Sequence, residues 1–71
     1  MRRTIEGITI ELDDGLCAAF ERKFSYPITE QECAFYASGT FHLPFDQVKK
    51  RYSPKEIAGA VEYAIKEELP V

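Results

Sequence analysis

The apolar and polar positions change rhythm along the chain, and each rhythm predicts an element. Residues 8–12, ITIEL, alternate: Ile8, Ile10 and Leu12 fall on one side, Thr9 and Glu11 on the other. Period two with β-branched residues predicts a strand. A lone strand leaves its amides and carbonyls unpaired, so it needs a neighbour. Residues 1–5 supply one if the chain folds back across Glu6-Gly7. Ile5 then faces Ile8, Thr4 faces Thr9, Arg3 faces Ile10, Arg2 faces Glu11 and Met1 faces Leu12. Facing residues share a side of the sheet. One side collects Met1, Ile5, Ile8, Ile10 and Leu12, with Arg3 as the misfit. The other collects a Thr–Thr pair and an Arg–Glu pair. The turn fits less well, because Glu is a poor first residue for a primed turn. The hairpin's outer edge is expected to remain free for another chain.

From residue 13 the period becomes helical. Leu16, Phe20 and Phe24 recur at every fourth position, with Cys17 and Ala19 beside them. Asp13 or Asp14 suits the first turn, and Arg22 and Lys23 suit the last. SYP at 25–27 ends this helix. Thr29 with Glu32 spells a capping box, flanked by Ile28 and Cys33 as a hydrophobic staple. That second helix is expected to run to Gly39, read as a left-handed stop. Pro44 opens a short third helix with Phe45, Val48 and Tyr52 on one face. Ser53 and Glu56 form a second capping box, with Pro54 at the first helical position and Tyr52 and Ile57 as the staple. The last helix carries Ile57, Val61, Ala64, Ile65 and Leu69, and Pro70 lies past its end. The predicted fold is α+β and mostly helical: an N-terminal β-hairpin, then three or four short helices around an aromatic core, in one domain spanning 1–71.

Composition agrees with a small packed domain. The 71 residues are 45% hydrophobic, with five Phe and four Tyr to fill a core. A chain of this length has little core volume to spare for a deep substrate cavity. Met1-Arg2-Arg3 is not followed by an apolar run of signal-peptide or membrane-span length, so a cytoplasmic location is expected. The two cysteines read as buried thiols, not a disulfide.

Catalytic chemistry is thin. The sequence has no glycine-rich phosphate loop, no CxxC and no HExxH, and His42 is its only histidine. A Cys33–His42 pair is formally available, but Cys33 is also the staple residue, which would bury it. Neighbouring carboxylates such as Glu67-Glu68 do not face one another on a helix. No enzyme, cofactor or metal site is expected.

The charge pattern is more informative. Lys49, Lys50, Arg51 and Lys55 crowd together, whereas the net charge is −3, so the remainder carries −7 (−3 less +4). Cations in the last turn of a helix complement its dipole. They also suit an acidic partner, or DNA if the third helix reads a groove. The DNA reading strains at the connection GTFHLP, longer than a helix-turn-helix turn. Lys49 and Lys50 are both expected to point away from the Phe45–Val48–Tyr52 face. Phe41 and His42, in FHLPF, are the other candidate contacts, with a plug between helices as the competing role. The expectation is a non-enzymatic module that binds another protein through Lys49, Lys50, Arg51, Lys55, Phe41 and His42, as a monomer or weak homodimer. The alternative is a helix-turn-helix-like DNA-binding domain using the helix at 44–52.

Overall fold

The computed structural model describes residues 1–69. Strands β1 (Arg2–Ile5) and β2 (Ile8–Glu11) form an antiparallel hairpin, followed by helices α1 (Asp14–Phe24), α2 (Glu30–Phe41), α3 (Phe45–Arg51) and α4 (Pro54–Glu68). Pro70, expected past the end of α4, lies outside the described residues.

The hairpin takes the expected register, from Arg2↔Glu11 to Ile5↔Ile8. Met1 and Leu12 exchange both hydrogen bonds beyond the strand ends, at 2.6 and 2.7 Å. Thr4 and Thr9 hydroxyls meet at 3.0 Å, and Arg2 pairs with Glu11 at 2.8 Å on the outer face. Glu6 and Gly7 both take positive φ, 47° and 85°, as a primed turn demands. On the inner face Ile5, Ile10 and Leu12 are buried, whereas Met1 stays exposed at the open end. Arg3, the misfit on that face, is half-buried and resolves itself by reaching sideways. Its Nε donates to the Ile28 carbonyl at 3.1 Å and its Nη1 to the Arg2 carbonyl at 3.0 Å.

Helices α1, α2 and α4 each begin at a side-chain cap. Asp13 Oδ2 accepts from the Leu16 amide, and both capping boxes, Thr29–Glu32 and Ser53–Glu56, are complete. Ile28 and Cys33 are both buried, as a staple requires. Pro44 sits one position before α3, as its N-cap. α2 corrects the expected stop. Gly39 lies inside the helix, which continues to Phe41 and ends on His42 at φ 57°. Histidine tolerates that left-handed conformation better than most residues. The His42 and Leu43 amides both donate to the Ser38 carbonyl, closing the last turn. The helix continues past Gly39 because Cys33, Ala37, Thr40 and Phe41 keep one face towards the core.

α4 is the central element: β2, α1, α2 and α3 all pack on it, while β1 lies against α2. Its buried stripe, Ile57, Val61 and Ile65, meets Phe20 and Ile10 in one continuous cluster. Phe20 is fully buried, with Phe24 at 4.6 Å and Tyr26 edge-on at 5.6 Å between ring centres. Truncating it to Ala is expected to cost about 3–5 kcal/mol. Phe41 stacks on Tyr52 at 3.8 Å and 10°. Phe41 and Leu43 are half-buried and Phe45 is buried, so these three fill the space beside α3 as a plug.

Candidate functional site

The basic stretch divides in two. Lys49 is half-buried and committed: its Nζ lies 3.0 Å from Glu6 Oε1 and 3.5 Å from Asp46 Oδ1. The hydrogen bond it donates to Glu6 holds its ammonium above the ordinary lysine range. Lys49 is thus not a free surface charge; it joins α3 to the hairpin turn. Lys50, Arg51 and Lys55 are exposed and make no ion pair among the described residues. The real connection between α2 and α3 is only His42–Pro44, the length of a helix-turn-helix turn, because α2 outlasts Gly39. α3 itself is seven residues, about 10 Å of helix.

Phe41 is held in the plug, and His42 is exposed beside a different surface. That surface is a cleft of ≈ 380 Å³ between α2 and α4, lined by Phe35, Tyr36, Gly39, His42, Tyr63 and Glu67 among others. Phe35 is 72% exposed and Tyr63 59%. Two large aromatics in water on adjoining helices are unusual in a chain whose other phenylalanines are buried or half-buried. The Tyr63 hydroxyl bonds Glu67, which raises its pKa and leaves the ring as the accessible part. With Glu68 the cleft has an acidic rim.

The periodicity contained this face. Phe35 lies two residues past Cys33, and Tyr63 two past Val61, so each is about 200° from a core position. An aromatic on a helix's polar face was the available signal.

The thiols behave as core atoms. Cys17 and Cys33 are buried and free. Burial pushes the Cys33 thiol up to about 11 and moves Cys17 in the same direction. A thiol this buried has little thiolate near neutral pH, which starves the Cys33–His42 pairing of its nucleophile.

Compared with protein-family models, with curated proteins and with solved structures, the chain finds no match. No described helix is long and apolar enough to cross a membrane.

Proposed function

We propose that the protein is a non-enzymatic interaction module that works in the cytoplasm, as a monomer or weak homodimer, by docking another protein on the α2–α4 cleft. The observation that carries this reading is the exposure of Phe35 and Tyr63 on neighbouring helices. Aromatic anchors of this kind dominate binding energy at interfaces because they bury much area with few rotamers to freeze. The acidic rim at Glu67 and Glu68 suits a partner that offers an apolar side chain flanked by Lys or Arg. His42 borders the same cleft.

The second reading is DNA binding through α3, favoured by the three-residue connection at His42–Pro44. It has Lys50, Arg51 and Lys55 available, but Lys49 is already engaged by Glu6 and Asp46.

A pull-down comparing wild type with Phe35→Ser/Tyr63→Ser separates these. The expected result is a partner retained by wild type and released by the variant, with both proteins unfolding at the same midpoint. A partner held equally by both sinks the cleft reading. Sub-micromolar duplex-DNA affinity that falls steeply with salt and is lost in Lys50→Glu/Arg51→Glu replaces it with the second reading.

A further inference from the structure

The two edges of the hairpin are not equivalent. In an antiparallel pair, residues alternate between those that bond across the pair and those whose N–H and C=O point outward. Met1 and Leu12 exchange both bonds, so Arg3↔Ile10 and Ile5↔Ile8 bond inward as well. The outward groups are then those of Arg2 and Thr4 on β1, and of Thr9 and Glu11 on β2.

The β1 edge is guarded at its Arg2 end, whereas its Thr4 end is bordered by α2. Its Arg2 carbonyl accepts from Arg3 Nη1, and the same guanidinium ties the edge to Ile28. The β2 edge is open. Among the described residues no hydrogen bond reaches the backbone of Thr9 or Glu11 on that side. The next outward amide in line, Asp13 N–H, is taken by Glu62 Oε2 at 2.7 Å, which ends the open stretch. Natural sheets block such edges against unwanted pairing, and here the outward groups of Thr9 and Glu11 have no such block among the described residues.

Beside the open edge runs a groove of ≈ 610 Å³ between β2 and α4, lined by Thr9, Ile10, Glu11 and, on the helix, Pro54, Lys55, Ala58, Gly59 and Glu62. Gly59 sits in mid-helix and is exposed, and a Cβ built there meets nothing within 4 Å. Among the described residues nothing uses its smallness, although glycine weakens a helix interior relative to alanine. A backbone lying in the groove would use it.

We propose that β2 accepts an extended segment of a partner protein as a third strand, lying in the groove over Ala58 and Gly59. The segment would bond the N–H and C=O groups of Thr9 and Glu11. Its residue opposite Ile10 would point inward at Ala58 and Gly59, where a small or medium apolar side chain fits. Lys55, without an ion-pair partner among the described residues, lies at the Pro54 end of the groove and suits an acidic residue there. A second copy of this chain is a poor occupant. It would bring its own α4 beneath the joined sheet, and strands about 4.8 Å apart leave no room for two helices that need 8–10 Å.

The inference rests on the reading of the protein as an interaction module and adds a second contact, distinct from the Phe35–Tyr63 cleft. The probe is a phage-displayed library of random twelve-residue peptides, with selected sequences synthesised and titrated into isotope-labelled protein. Slowed hydrogen exchange at the Thr9 and Glu11 amides is expected on binding. Gly59→Leu fills the groove where the structure is open, so it should fold with an unlowered midpoint yet bind the peptides at least tenfold more weakly. Phe35→Ser should bind them as wild type does. Peptides that leave Thr9 and Glu11 exchange unchanged, peptides that bind Gly59→Leu equally, or a library yielding no binder each overturn the proposal without touching the cleft. Protection of those amides that grows with protein concentration alone overturns it in favour of self-pairing.

Discussion

Lys49 Nζ lies 3.0 Å from Glu6 Oε1, joining α3 to the tip of the hairpin across 43 residues of sequence. It gives the strained glutamate in the turn a role that turn propensity alone does not. Lys49→Glu would place a third carboxylate beside Glu6 and Asp46, so its denaturation midpoint should fall below wild type. Lys50→Glu, on an exposed position of the same turn, should leave the midpoint unchanged. Equal midpoints for the two variants would show that Lys49 is not engaged in solution.

The caps of α2 and α4 should each be worth a measurable amount. Thr29→Ala and Ser53→Ala both remove the oxygen that accepts from the third amide of the helix, at 3.1 and 3.2 Å. Each is expected to lose about 0.5–2 kcal/mol in chemical denaturation. Wild-type stability in both variants would mean that the boxes do not form.

Gly39 is helical and exposed, with open space where a Cβ would sit. Gly39→Ala should therefore stabilise the protein by about 0.5–1 kcal/mol. Had Gly39 been a left-handed stop, the same substitution would destabilise. The sign of the change in thermal midpoint decides between the two.

Burial gives Cys33 a pH signature. Its folded pKa of about 11 stands above the ordinary value of 9.0. Native protein keeps the proton when the unfolded chain has lost it, so the contribution is complete below pH 9 and disappears as pH rises towards 11. The loss is on the order of 2 kcal/mol. Cys17 and Tyr36, both raised mainly by burial, add in the same direction. Denaturation midpoints between pH 8 and 10.5 should fall for wild type and fall less for Cys33→Ala. Under native conditions both thiols should react with a labelling reagent only at the rate of unfolding.

The hairpin register and both capping boxes were legible because each rests on residues close together in sequence. The pairing from Arg2↔Glu11 to Ile5↔Ile8 follows from where the apolar residues fall around one turn. The end of α2 was misread because Gly39 carries the usual stop signal, while the tertiary face formed by Ala37, Thr40 and Phe41 kept the helix going. Pro44, two residues after His42, was the better marker. Thr40 also bonds the Ala60 carbonyl at 3.3 Å, a tie that local pattern does not contain. The engagement of Lys49 by Glu6 depends on how the hairpin lies against α3, and no helix-level rule places it. Arg3 was visible as an anomaly, but its partner, the Ile28 carbonyl, was not. Cys17 and Cys33 are buried and free, as their reading as thiols expects.

The position of α4 bears on when the chain can fold as it leaves the ribosome. β2, α1, α2 and α3 all find apolar cover on this fourth helix. Until Ile57, Val61 and Ile65 emerge from the exit tunnel, the earlier elements can form turns and caps but have nothing to close around. The nascent chain should thus remain sensitive to protease until those residues clear, and then become resistant in a single step.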